Sequence, residues 1–143
     1  MSIQIANHQK LAPIDRKALR AIATALLRQH GKPPHLSICY VDDAAIRQLN
    51  ARHLGRDATT DVLAFPLDDG PTPEDDPPIG EIIVSVETAV TEATQRGIPI
   101  EAEIALYTIH GLLHLLGYDD HEPDDTKAMR QAERQAMEAA GLQ

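Results

Sequence analysis

The sequence predicts an α+β fold in which a small sheet is packed by helices. Segments with strand-like and helix-like patterns are interleaved along the chain of 143 residues, an order typical of one sheet covered by helices. Apolar residues make up 43% of the sequence, which is enough for a globular core. A chain of this length is expected to form a single domain, and we assign residues 1–143 to it.

The first half of the chain predicts three strands and two helices, from apolar runs bounded by capping and turn residues. The strands are predicted at 3–5, 36–41 and 61–66, and the helices at 13–30 and from 42 or 43 to about 53. Asp15 is the expected N-cap of the first helix, which ends at Gly31. The basic side chains of this helix are Arg16, Lys17, Arg20 and Arg28.

The second half predicts one strand and three helices, after an acidic, proline-rich loop at 67–78. The strand is predicted at 80–86, and the helices at 87–96, from 100 or 101 to 116, and from 123 to near 141. Because a loop of hairpin length joins the third and fourth strands, we expect at least one antiparallel pair. No charged residue falls between 104 and 116, which is typical of a helix buried on most of its circumference. Its expected core-facing stripe is Leu106, Ile109, Leu113 and Leu116.

The charge of the chain is unevenly distributed. A net charge of −9 argues against broad nucleic-acid binding. Residues 1–66, however, hold nine Lys/Arg against five Asp/Glu, whereas residues 67–143 hold four against seventeen. This division leaves room for a local phosphate-binding face, although most of these charges are expected to be ordinary solvated surface.

Cys39 is the single cysteine, so an internal disulfide is excluded. It lies in an apolar run and is expected to be a small buried side chain. The sequence also shows no signal peptide and no apolar span of about 18 residues. Together these features predict a cytoplasmic protein that has no membrane partner.

Three histidines near the uncharged helix are the strongest candidates for chemistry. His110 and His114 are four residues apart, which places both on one face of a helix. Gly117 is expected to end the helix, and His121 can then fold back toward the pair. Three imidazoles with an open fourth position are a typical catalytic zinc site, in which bound water acquires a pKa of about 7.

The alternative to a metal site is that these histidines are ordinary core or surface residues. The chain has seven histidines, so two of them can fall four residues apart by chance. Gly111 stands where an H-E-x-x-H zinc protease carries its general-base glutamate. The helix therefore looks able to hold a metal without the usual peptidase base.

Residues 110–119, HGLLHLLGYD, resemble the signature H-G-x-L-H-L-x-G-Y-D-H of the YbeY family, bacterial endoribonucleases of rRNA maturation. The third histidine of that signature directly follows Tyr-Asp, whereas here Asp120 takes its place and His121 comes one residue later. We favour His121 as the third ligand, because an extra residue in a turn costs little. Asp120 is the alternative, since a carboxylate is also an acceptable zinc ligand.

A second segment carries the same resemblance. Residues 57–66, DATTDVLAFP, resemble the family's D-x-P-T-D/N-V-L-S-F-P, with Thr59 in place of proline and Ala64 in place of serine. Leu54 stands where the family usually carries an arginine thought to contact RNA or the transition state. Arg56 falls where the family has lysine and is the candidate replacement for that cation.

The resemblance implies a mixed four-stranded sheet with the metal-binding helix laid across it. It also implies a zinc-dependent, single-strand-specific endoribonuclease that matures the 16S rRNA 3′ end and serves ribosome quality control. One Zn²⁺ per chain is then expected on His110, His114 and His121, with Arg56 and Asp119 as catalytic candidates. Single-stranded RNA and the small ribosomal subunit are the expected partners, and DNA is not.

Two alternatives stay open. A ribosome-assembly factor with a structural zinc is favoured by Leu54 and by the net charge of −9. In such a closed site, Asp120 beside His121 would supply a fourth ligand. A metallopeptidase-like hydrolase is disfavoured by Gly111.

Overall fold

The computed structural model describes residues 3–54, 60–66, 79–119 and 121–142. Within these residues it has four strands and five helices. The strands are β1 (Ile3–Asn7), β2 (Leu36–Val41), β3 (Val62–Pro66) and β4 (Gly80–Ser85). The helices are α1 (Arg16–Gln29), α2 (Asp43–Leu54), α3 (Val86–Arg96), α4 (Ile100–Leu115) and α5 (Pro123–Ala139). The loop predicted at 67–78 lies outside the described residues.

The four strands form one mixed sheet in the order β1-β2-β4-β3. The β1–β2 and β2–β4 pairs are parallel, and β3 pairs with β4 antiparallel. The α+β prediction and the expected antiparallel pair are therefore confirmed. In the register, Ile5 is opposite Ile38 and Ile38 is opposite Ile82, so one row of apolar side chains crosses the three parallel strands.

The larger apolar core lies between the sheet and the helices α1, α3, α4 and α5. Its fully buried side chains include Leu27, Ile38, Ile82 and Ile109. A smaller cluster joins α2 to the sheet and consists of Val41, Ile46, Leu63 and Ile83. Most of the apolar burial therefore stabilises the side of the sheet that carries α4.

Helix α4 packs directly on the sheet because Gly111 has no side chain. A Cβ added at Gly111 would lie 2.8 Å from Cγ2 of Ile82 and 2.9 Å from Cγ2 of Val62. The prediction of a helix buried on most of its circumference is confirmed, since Tyr107, Thr108 and Leu112 are buried in addition to the predicted Ile109 and Leu113. The predicted stripe was too narrow, and its outer members Leu106 and Leu116 are only half-buried.

The caps of the helices explain where the strands and helices end. The Asp15 side chain accepts a hydrogen bond from the Ala18 amide at 3.1 Å, as expected of the N-cap of α1. The fourth strand is one residue shorter than predicted because Ser85 ends β4 and caps α3, accepting a hydrogen bond from the Thr88 amide at 3.1 Å.

Among the described helices, none combines the length and the apolar character needed to cross a membrane.

Candidate metal centre

The side chains of His110 and His114 meet on one face of α4. Their Nε2 atoms lie 3.1 Å apart, and the rings are edge-on with centroids separated by 4.7 Å. His110 is mostly buried, whereas His114 faces solvent. The helix therefore presents two imidazole nitrogens at one point on its surface, as the spacing predicted.

Glu133 of α5 holds the other nitrogen of His110. Nδ1 of His110 lies 2.5 Å from Oε2 of Glu133, and the Glu133 carboxylate is only 6% exposed. Burial raises the pKa of Glu133, but the hydrogen bond and attraction of His110, joined by those of Arg130, lower it below its usual value. An ionised carboxylate only accepts hydrogen bonds, so Nδ1 of His110 is the donor. In a neutral ring, Nε2 is then left with its lone pair facing His114.

Arg130 binds the second oxygen of the Glu133 carboxylate. Its Nη1 donates to Oε1 of Glu133 at 3.2 Å, so the two oxygens of the carboxylate are held by different side chains. A carboxylate fixed in this way orients the imidazole and raises its basicity, which is the arrangement found behind many metal-binding histidines.

The histidine pair passes a simple test of fit for zinc. Two imidazole nitrogens bound to one zinc at about 2.0–2.1 Å in tetrahedral geometry lie about 3.4 Å apart. The observed separation of the two Nε2 atoms is 3.1 Å, within a few tenths of an ångström of that distance. The separation of the two nitrogens therefore matches that of two adjacent ligands of a tetrahedral ion.

The third predicted ligand lies in the turn that follows α4. The His121 side chain is 83% exposed, and its Nε2 is 3.4 Å from Oδ1 of Asp119. The same Asp119 oxygen accepts a hydrogen bond from the His121 amide at 3.1 Å. The structure thus brings His121 and Asp119 together, separately from the pair on α4.

Two of the predicted site residues lie outside the part of the chain that the structure describes. Across residues 3–54, 60–66, 79–119 and 121–142, no group of three or more His, Cys, Asp or Glu side chains is arranged to hold a metal. Asp120 and Arg56 lie outside the described residues, as does the side chain of Leu54. The third ligand and the role of Arg56 stay predictions.

A polar cavity of about 560 Å³ borders His110 and Glu133. Its other walls include Asp61, Arg96, Glu103, Tyr107 and Arg130. Buried Glu103 accepts a hydrogen bond from the Tyr107 hydroxyl at 3.1 Å and lies 3.5 Å from Nη1 of Arg96. Burial, reinforced by Glu103, raises the pKa of Tyr107, so its hydroxyl keeps its proton. The cavity therefore offers hydrogen-bond donors and carboxylates beside the histidine pair.

Sequence reasoning missed Glu133, although a pattern in α5 pointed to it. Met129, Glu133, Ala136 and Met137 repeat at three- and four-residue spacing, and this stripe faces the core. A carboxylate in an apolar stripe is seldom buried unless it has a partner. An acid at that position therefore indicates a buried contact, and the structure identifies the partner as His110.

Known proteins resemble this chain over nearly its whole length. The family model described as endoribonuclease YbeY matches residues 4–141. A protein of that name from Carboxydothermus hydrogenoformans is 36% identical over 143 residues, covering 98% of each chain. Another, from Syntrophus aciditrophicus, is 37% identical over 139 residues, covering 94% of this chain and 87% of its own.

A solved structure shares the fold. The solution structure of a Thermotoga maritima protein superposes with a TM-score of 0.69 at 27% identity, covering 96% of this chain and 88% of that one. Because the family model and the relatives span nearly the whole sequence, the chain belongs to the YbeY endoribonuclease family.

Proposed function

We propose that this protein is a zinc-dependent endoribonuclease that cuts single-stranded RNA, acts in maturation of the 16S rRNA 3′ end, and contributes to ribosome quality control. Family membership supports the nuclease activity, since the relatives are named endoribonucleases. The observation that carries the metal proposal is the 3.1 Å separation of two imidazole nitrogens, one belonging to a ring fixed by Glu133.

One zinc ion would be held by His110, His114 and His121. A bound zinc supplies a Lewis acid for a phosphoryl oxygen and lowers the pKa of its water to about 7. Glu133 keeps Nδ1 of His110 protonated, so Nε2 is directed outward. Exposed His121 has its contact with Asp119 in the same turn, so its approach to the pair would leave the core packing undisturbed.

Asp119 and Arg56 are the proposed catalytic residues. Oδ1 of Asp119 lies 3.4 Å from Nε2 of His121, where it can orient that ring or accept a proton. Arg56 is proposed to neutralise charge on the scissile phosphate, because guanidinium donors match phosphate oxygens well. The polar cavity beside His110 has room for a part of the substrate next to that phosphate.

A ribosome-assembly factor with a structural zinc remains the second candidate, because Leu54 replaces the family arginine and the net charge is −9. The structure weakens the peptidase alternative. A Cβ at position 111 would lie less than 3.0 Å from side-chain atoms of Ile82 and Val62. The sheet therefore occupies the space that a general-base side chain would need.

The experiment that tests the proposal is cleavage of a 5′-labelled single-stranded RNA by three proteins purified side by side. These are the wild type, His114→Ala, and His8→Ala, which changes a different exposed histidine. We expect the wild type and His8→Ala to cut and His114→Ala to be inactive. Equal cutting by all three would indicate a contaminating nuclease.

A second substrate separates the nuclease from the assembly factor. If the wild type leaves free RNA intact, the same proteins are given small ribosomal subunits that carry immature 16S rRNA. Cutting of the particles that depends on His114 supports the proposal. If neither substrate is cut while the protein still binds the subunit, the assembly-factor alternative replaces it.

A further inference from the structure

Helix α1 carries a basic face in an otherwise acidic protein. Its 14 residues include four Arg or Lys and no Asp or Glu, whereas the whole chain has a net charge of −9. Lys17, Arg20 and Arg28 are spaced so that a helix places them on one face, with Thr24 between them. These residues also line one shallow surface groove of about 440 Å³. We call Lys17, Arg20 and Arg28 the α1 basic stripe.

The cations of the stripe are available to a ligand. Lys17, Arg20 and Arg28 are all exposed, and in the part of the chain that the structure describes no carboxylate lies within 4.0 Å of them. Nε of Arg20 donates to the backbone oxygen of Ile3 at 3.1 Å, which anchors this side chain against β1. The groove between the cations is lined by small residues, so a polymer backbone can approach closely. Those residues are Ala21, Thr24 and Ala25.

The C-terminal end of α1 contacts the turn that follows α4. His30 caps the C-terminal end of α1, and its Nε2 lies 3.1 Å from the hydroxyl of Tyr118. Tyr118 directly precedes Asp119 in the turn that carries His121. From Lys17 to Arg28 the helix rises about 16 Å, at about 1.5 Å per residue. The last turn of α1, which also carries Arg28, therefore lies beside the turn that holds two of the proposed site residues.

We infer that the α1 basic stripe binds the phosphate backbone of the single-stranded RNA whose cleaved phosphate lies at His110 and His114. This inference rests on the proposed function. Phosphate contacts fix the position and direction of a nucleic acid without reading its bases. Since the groove has no aromatic side chain on which bases could stack, the contact is insensitive to sequence. In a chain with a net charge of −9, three exposed cations on one helix face offer the strand a local attraction.

The test uses the double variant Lys17→Gln/Arg28→Gln, which leaves the anchored Arg20 in place. Binding of a labelled 20-nucleotide single-stranded RNA is measured by anisotropy at several salt concentrations, in a His114→Ala background that prevents cleavage. Each phosphate contact contributes about 0.7 to the slope of log K against log salt for single strands. The slope should therefore fall by about 1.4, which corresponds to about 25-fold weaker binding at 0.1 M salt.

The control is Lys127→Gln/Arg134→Gln, which removes two exposed charges from α5. An unchanged slope in the α1 variant, or an equal loss in the control, overturns the inference. Binding of the wild type to phosphatidylserine vesicles, lost in the α1 variant while RNA binding persists, would assign the stripe to a membrane surface instead. The RNA-binding measurement gives its answer even if no RNA is cut, so failure of the proposed nuclease activity is distinguishable from failure of this inference.

Discussion

Nδ1 of His110 lies 2.5 Å from Oε2 of Glu133, so the last helix of the chain sets the ring orientation of the first histidine of the pair. Glu133 is buried and is also held by Arg130 at 3.2 Å. This contact links the packing of α5 on α4 to the direction of the nitrogen proposed to bind zinc. A change at Glu133 should therefore alter metal binding without touching a ligand.

We expect Glu133→Ala to weaken zinc binding by about 10- to 100-fold, the usual effect of losing a carboxylate behind a metal-binding histidine. Glu133→Gln should weaken zinc binding less, because the amide oxygen can still accept a hydrogen bond from Nδ1 of His110 although the negative charge of the carboxylate is gone. Zinc affinity is measured by competition with a chromogenic chelator. Glu138→Ala is the control on the exposed side of α5. Wild-type affinity in Glu133→Ala would show that the contact only supports packing.

Gly111→Ala is expected to destabilise the protein. The new methyl group would meet Cγ2 of Ile82 at 2.8 Å and Cγ2 of Val62 at 2.9 Å. The gain in helix propensity is about 1 kcal/mol, whereas forcing extra volume into a packed core costs about 1–3 kcal/mol. The free energy of unfolding in urea should fall by about 1 kcal/mol.

Val62→Ala provides the matched test of that cause. If crowding of Val62 causes the loss of stability, Val62→Ala should lower the free energy of unfolding less in the Gly111→Ala background than in the wild type. Additive effects of the two changes would mean that α4 shifts away from the sheet instead of pressing on this side chain.

The single cysteine allows a direct test of electrostatics within the sheet. Cys39 is half-buried on β2, less deeply than the sequence predicted. Burial, followed by repulsion from Glu81, raises the pKa of its thiol. In the unfolded chain a thiol has a pKa of about 8.5. The contribution of the neutral thiol to stability is therefore fully present below the unfolded pKa and is lost as the pH rises through the folded pKa.

The pH profile of Cys39 alkylation by iodoacetamide measures this shift. The midpoint should lie above that of a free thiol, and Glu81→Gln should lower it only partly, because burial is the larger cause. Glu101→Gln, at an exposed position of α4, is the control and should leave the midpoint unchanged. A midpoint at or below that of a free thiol would contradict the electrostatic explanation.

Features that depend on near neighbours in the sequence were predicted well. Asp15 caps α1, and α3 ends at Arg96 as predicted, because the next residue, Gly97, adopts φ of 68° and capping is decided within a few residues. The pairing of His110 with His114 follows from helical spacing in the same way. The end of β4 was missed by one residue, since Ser85 serves the strand and the next helix at once.

Features that depend on packing between helices were not predicted. Glu133 is 23 residues from His110, and only the placement of α5 on α4 brings them together. Leu106 and Leu116 were assigned to the core, but Leu106 lines the polar cavity and Leu116 packs against the edge of the core, so both are only half-buried. Periodicity shows that a helix has an apolar face, whereas its width depends on how many neighbours the fold supplies.

The identity of the proposed third zinc ligand separates two forms of the proposed site. His110→Ala and His114→Ala should each remove most bound zinc, because two nitrogens 3.1 Å apart form the pre-arranged part of the site. His121→Ala should lower the zinc content more than Asp120→Ala, since the imidazole of His121 is exposed in the turn that follows α4 and imidazole is a preferred zinc ligand. Elemental analysis of the four purified variants gives the ranking, with His8→Ala as the control. The opposite order for positions 120 and 121 would assign the third ligand to the carboxylate, and stoichiometric zinc in His114→Ala would remove the metal from α4 altogether.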